Sequence, residues 1–130
     1  MTTPIPRRRR LGTAGESYAR RYLEARGYRF VTAQWRGAGC ELDLVMWHGD
    51  ELVFVEVKTR RGESHGRAAE SVTTRQAKAL IRGAEAYVQV LNAAGDPEPV
   101  WRIDLVAVTL ESSGRVADVT HIENAFVIDV

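Results

Sequence analysis

Asp43 and the triplet Glu56-Val57-Lys58 are the residues of this chain best spaced to do chemistry. The segment 41–47, Glu-Leu-Asp-Leu-Val-Met-Trp, alternates polar and apolar, and 52–58, Leu-Val-Phe-Val-Glu-Val-Lys, ends in the same alternation. Both predict β-strands. His48-Gly49-Asp50-Glu51 lies between them, and Gly49-Asp50 suits a two-residue turn of type II′. Such a turn sets Asp43 opposite Glu56 and Glu41 opposite Lys58. Opposed Cβ atoms on one face are about 4.5–5.5 Å apart. Two carboxylates held there repel unless something positive lies between them. A hard divalent cation, Mg²⁺ or Mn²⁺, prefers such oxygen ligands. It would polarise a phosphoryl oxygen and lower the pKa of a bound water. Lys58, on the face of Glu56, would orient that water or stabilise the developing charge. The plainer alternative is a solvated sheet face with cross-strand pairs such as Glu41–Lys58. That accounts for Glu41 and Lys58 but not for Glu56 sharing a face with Leu52 and Phe54.

Other candidates carry weaker signals. Glu16 lies at the edge of the apolar arc of a predicted helix, where it is solvated, paired with Arg20 at i+4, or part of a site. Gln76 falls on the inward stripe of a second predicted helix. A buried amide there needs partners, either backbone or the metal site. Arg102 and Asp104 share a strand face at i, i+2 and read as a structural ion pair. Trp35, Trp47 and Trp101 read as packing residues, and His65 is a weak candidate for a phosphate contact.

The elements that must position these residues follow from the pattern. Residues 1–10 read as a disordered arm. A helix is predicted over about 11–26, with Gly27 as its C-cap and Leu11, Gly15, Ala19, Tyr22 and Leu23 on its apolar arc. A strand over about 28–35, a turn at 36–39 and the hairpin come next. Residues 59–71, with Arg60, Arg61, Gly62, Gly66 and Arg67, read as a mobile basic loop. A second helix over about 73–92 buries Leu80, Gly83, Ala84, Tyr87 and Leu91. Strands over 101–110 and 116–122 close the order α-β-β-β-α-β-β, which predicts an α/β domain with a mixed sheet flanked by helices.

At 130 residues the chain has room for one domain with a core, here 11–130. The lone cysteine, Cys40, excludes an internal disulfide and a multi-cysteine zinc site, and fits a reducing cytoplasm. His48, His65 and His121 lack zinc-ligand spacing. No apolar run is long enough to span a bilayer, and no apolar stretch follows the basic N-terminal residues as in a secretory signal. Charge is uneven: residues 1–36 hold nine Arg and two Glu, a formal +7, while 37–130 hold nine Lys or Arg and fifteen Asp or Glu, a formal −6. A basic arm, Arg7-Arg8-Arg9-Arg10, beside an acidic body suits nucleic-acid phosphates; the bland alternative is a solvated tail.

Taken together, these residues resemble the YraN-like family of small bacterial proteins, expected to be nucleases of the restriction-endonuclease-like fold. The resemblance runs from about Leu11 to Phe126. It rests on Gly15-Glu16-x-x-Ala19, Tyr22-Leu23, Gly27-Tyr28, Glu41-Leu-Asp43-Leu-Val and Val53-Phe-Val-Glu-Val-Lys58 with Arg60. Gly66, Ser71-Val72, Arg102-Ile-Asp104 and Asn124-Ala-Phe126 complete it. It implies an αβββαβ core similar to that of archaeal Holliday-junction resolvases, with Glu16, Asp43 and Glu56 as metal ligands and Lys58 completing the catalytic set. The expected activity is divalent-metal-dependent hydrolysis of DNA, branched or single-stranded substrates included. Arg7, Arg8, Arg9, Arg10, Arg60 and Arg61 would bind phosphates, and Glu41 and Gln76 are accessory candidates. Cutting of duplex DNA by so small a domain would favour a homodimer. The rival readings are a non-catalytic nucleic-acid-binding module and an interaction protein with solvated carboxylates. The sequence departs from the family pattern at Cys40, where a glycine is usual, and near the start of the second helix, where Gln76 stands in place of a lysine.

Overall fold

Arginine is a good helix former, and the first helix begins earlier than its apolar arc alone predicts. In the computed structural model, which describes residues 7–62 and 72–126 (for 7–12 the backbone only), α1 spans Arg7–Glu24. Arg7–Arg10 therefore belong to the helix that carries Glu16 and not to a disordered arm. Helix α1 ends in a Schellman motif: Tyr28 N–H donates to Leu23 O at 3.1 Å and Gly27 N–H to Glu24 O at 3.1 Å, with Gly27 at φ 91°.

Strands β1 (Arg29–Gly37), β2 (Cys40–His48) and β3 (Glu51–Arg61) form two successive hairpins. Ala38 and Gly39, at φ 54° and 72°, make the first turn. Cys40 thus enters β2 directly from a two-residue loop. Gly49 at φ 62° makes the second turn, with Asp50 outside the left-handed region, as a type II′ turn requires. The β2–β3 register follows from it: His48 pairs with Glu51 and Leu44 with Val55. Strand β3 runs longer than its pattern predicts because β4 (Val100–Leu110) pairs with it in parallel from Glu51↔Val100 to Arg61↔Leu110. Backbone pairing overrides local composition here, so Arg60 and Arg61 are strand residues and not loop residues. His65, Gly66, Arg67 and Ser71 lie outside the described residues.

The β3–β4 crossover is helix α2 (Thr74–Ala93). Its start corrects one expectation. Thr73 and Gln76 form a capping box: Thr73 Oγ1 accepts from Gln76 N–H at 3.1 Å, and Gln76 Oε1 accepts from Thr73 N–H at 2.9 Å. Gln76 is exposed and occupied with the cap, not buried on the inward stripe. Strand β5 (Val116–Ile122) pairs antiparallel with β4, and the sheet order is β1-β2-β3-β4-β5.

The helices cover opposite faces of this mixed sheet. Ala19 and Leu23 of α1 pack with Leu44, Met46, Val53, Val55, Val57 and Val106. Leu80, Ala84 and Tyr87 of α2 pack with Leu42, Val45, Leu52, Phe54 and Ile103. Trp35, Trp47 and Trp101 border this second cluster as packing residues. Apolar area removed from water on both faces is the main stabiliser, at about 25 cal/mol per Å². It holds the sheet rigid where polar residues must be aimed.

Candidate active site

The carboxylates meet where the β2–β3 ladder stops. Cα pairing runs as far as Leu44↔Val55. One residue on, the Asp43 side chain takes over a backbone role: its Oδ2 accepts from Val57 N–H at 2.8 Å. The first hairpin changes faces at the same level. Phe30 and its partner Met46 belong to the α1 side, whereas Trp35 and its partner Leu42 belong to the α2 side. Between them Gln34, at φ 52°, stands at the register position opposite Asp43. Asp43 therefore projects along the sheet toward β3, between the two layers. Glu56 follows Leu52 and Phe54 on the α2 face by strand alternation. Glu16 descends from α1 on the other side.

Helix α1 approaches β3 closely beside this point. A Cβ on Gly15 would stand 1.9 Å from Thr59 Oγ1, so only glycine fits without a shift. That contact brings Glu16 down onto the sheet. Its Oε2 accepts from Gln34 Nε2 at 3.0 Å. On the far side Lys58 Nζ lies 3.5 Å from Glu56 Oε1, with these side chains 24 % and 15 % exposed.

The electrostatics record the crowding. Burial pushes the Glu16 carboxyl up to about 7; the Gln34 hydrogen bond opposes this, and Asp43 and Glu41 add to it. Burial raises Asp43 as well, and the Glu56 charge raises it further, against the bond from Val57. Burial also raises Glu56, with Lys58 pulling the other way. Asp43 is close enough to both neighbours for charge to act: Glu56 raises the Asp43 carboxyl, and Asp43 raises that of Glu16. All three carboxyls are thus held above their usual range, with Asp43 interacting with both of the others. Among the described residues no group of three or more His, Cys, Asp or Glu side chains is placed as it stands to hold a metal ion. The donor chemistry suits a hard divalent cation: three neighbouring carboxyls all raised by burial, with one partner cation in Lys58. Glu16, Asp43 and Glu56 are the residues that would hold it.

The remaining candidates divide. Glu41 pairs with Arg36 at 2.9 Å, not with Lys58, and so does not join the set. Arg20 pairs with Glu24 at 3.4 Å and leaves Glu16 to the site. Arg60 continues the face of Glu56 and Lys58, and Arg61 the opposite one. Arg7–Arg10 share a helix with Glu16. Arg102 and Asp104 form the expected ion pair at 2.9 Å, away from the acids. Sequence reasoning missed Gln34, whose turn-like backbone inside a strand left no pattern. It also missed Arg75, Lys78 and Arg82, three exposed residues with no ion pair among the described residues. Their i, i+3, i+7 spacing on α2 was readable as one helix face. Helix α2 borders the site: Gly83 packs on Cys40, and the Cys40 thiol, raised first by burial, feels Glu56, Asp43 and Arg82. No described helix is long and apolar enough to cross a membrane.

Comparison with known sequences agrees on kinship. The profile of the uncharacterised protein family UPF0102 matches residues 15–108. A UPF0102 protein of Roseiflexus castenholzii is 40% identical over 119 residues, covering 92% of this chain and 94% of that protein. One from Herpetosiphon aurantiacus is 43% identical over 107 residues, 79% of this chain and 84% of its own length. One from Pelotomaculum thermopropionicum is 42% identical over 119 residues, with 92% and 97% covered. The chain belongs to the UPF0102 family.

Proposed function

We propose that this UPF0102 protein is a divalent-metal-dependent nuclease with a restriction-endonuclease-like core, acting on DNA. The observation that carries the reading is the meeting of Glu16, Asp43 and Glu56 at the end of the β2–β3 ladder, with Lys58 beside Glu56. A structural role explains such a cluster poorly, because like charges there cost stability unless a cation or protons intervene. Mg²⁺ or Mn²⁺ would activate a water and polarise the scissile phosphoryl group. Glu16, Asp43 and Glu56 would hold the ion. Lys58, tethered to Glu56, presents its ammonium to the attacking water or the developing phosphoryl charge. Arg60, next along that face, holds the flanking phosphate. Arg75, Lys78 and Arg82 on α2 would bind further phosphates, and Arg7–Arg10 are candidates for the same role by their charge.

The test is cleavage of branched, single-stranded and duplex DNA with and without Mg²⁺ or Mn²⁺. The wild type is compared with the Asp43→Asn/Glu56→Gln double variant. Ion-dependent cutting that disappears in the variant supports the reading. The three exposed cations of α2 also favour a second reading, a non-catalytic nucleic-acid-binding module. Salt-sensitive DNA binding without ion-dependent cleavage would select it. Serine substitution of all three cations would then flatten the salt dependence, by about 0.9 in log–log slope for each phosphate no longer neutralised.

A further inference from the structure

Gln34 combines two features that do not ordinarily meet in a strand. Its backbone sits at φ 52°, a region L-residues other than Asn, Asp and Gly enter at a cost, yet it lies inside β1 between Ala33 and Trp35, both paired with β2. Its side chain, exposed to solvent, donates Nε2 to Glu16 Oε2 at 3.0 Å. Strain kept in a well-paired element points to a use for the conformation. Here the use is visible from both ends of the residue. The left-handed backbone sits where the β1–β2 hairpin changes faces, opposite Asp43, and Asp43 leaves its own ladder there to bond Val57 N–H. The amide reaches across to α1 and holds one oxygen of Glu16, whose carboxyl feels Asp43.

We infer that Gln34 is a positioning residue for the carboxylate site, its backbone aiming Asp43 and its amide orienting Glu16 for a divalent cation. The inference rests on the metal-site reading above. A ligand carboxylate whose second oxygen is unrestrained rotates freely, and outer partners of this kind govern ion affinity without touching the ion.

The two jobs separate in one variant. Gln34→Gly keeps the left-handed backbone without strain and deletes the amide. Calorimetric titration of Mn²⁺ into full-length wild type, Gln34→Gly, Glu16→Gln and the Gln34→Gly/Glu16→Gln double variant reads the outcome without reference to cleavage. The expected result is affinity about tenfold or more weaker in Gln34→Gly. Its metal-free melting temperature should be equal or higher, and it should cause no further loss in the Glu16→Gln background. A merely structural role would lower the melting temperature and leave the affinity alone. Wild-type affinity in Gln34→Gly, while Glu16→Gln loses binding, would overturn the inference and leave the site standing; so would additive losses in the double variant. Absence of saturable Mn²⁺ binding by the wild type would overturn the site itself, and the inference with it.

Discussion

Two carboxylate clusters share this small sheet, and their surroundings are opposite. Asp104, 0 % exposed, is surrounded by donors. Arg102 Nε donates to it at 2.9 Å, His121 Nε2 lies at 2.8 Å and Asn124 N–H donates at 2.9 Å. Arg102 also donates to Tyr28 and Glu51, and His48 stacks on Tyr28 at 4.2 Å between ring centroids. Burial alone would raise the Asp104 carboxyl, but His121, Arg102 and the Asn124 amide outweigh it and hold it below the usual range. Asp43 receives one backbone N–H and otherwise faces Glu56 and Glu16. One buried acid completes its own neighbourhood, tying the α1–β1 junction and both hairpin ends to β4 and β5. The other leaves a charge conflict for something else to resolve. The difference separates the acid that braces the fold from the acid that the proposed function assigns to chemistry, since perturbed carboxylates without cationic partners concentrate at functional sites.

The sharpest way to break that contrast is at the braced end. Asp104→Asn should destabilise the protein by about 3–5 kcal/mol in urea denaturation, because it removes the fully buried counter-charge of Arg102 and leaves that guanidinium only the part-exposed Glu51. A loss below about 1 kcal/mol would make the network dispensable. Next in size is Lys58→Ala. DNA cleavage should fall about 10²–10³-fold in kcat while the melting temperature moves little. Undiminished cutting would remove Lys58 from the chemistry.

Titration separates the clusters without mutation. Glu16 and Asp43 titrate higher folded than unfolded, so their protonated forms are the ones folding favours. Their contribution to metal-free stability should therefore be full below their unfolded values, about pH 4, and be lost as pH rises towards about 7–8. Asp104, with its carboxyl held down, has the opposite sign: its contribution is present above its unfolded value and is lost only as acid is added below it. Denaturation midpoints between about pH 5 and pH 8 thus report the acid cluster, and Mn²⁺ should flatten the slope by stabilising the ionised form. A flat metal-free profile would mean that the acids are solvated. The smallest effect is Asp43→Asn. Its amide oxygen can still accept from Val57 while its NH₂ donates to Glu56, so the metal-free protein should gain about 0.2–1 kcal/mol. Marked destabilisation would show that Asp43 braces the fold as Asp104 does.

Local chemistry made much of this readable in advance. Gly49 placed the second turn, and the turn placed the register from His48↔Glu51 to Leu44↔Val55, because strand pairing counts residues outward from a loop. Where reading failed, a longer-range partner had intervened. Arg60 and Arg61 look like loop residues until β4 pairs with them. Gln76 looked inward by helical phase, but its partner was Thr73, three residues back, in a capping box.

By itself the sequence determined the order of elements, the two apolar helix faces and the hairpin turn whose count brings Asp43 and Glu56 to neighbouring strands. All of these depend on periodicity and turn chemistry within a few residues. Only the tertiary structure decided that the ladder ends at Leu44↔Val55, that Asp43 turns into the opening, and that Glu16 arrives there from α1, held by Gln34. Those placements depend on where a helix lands on a twisted sheet and on one strand residue in a left-handed conformation. Neither is encoded in the spacing of any single segment, because each is settled by contacts between segments far apart in the chain.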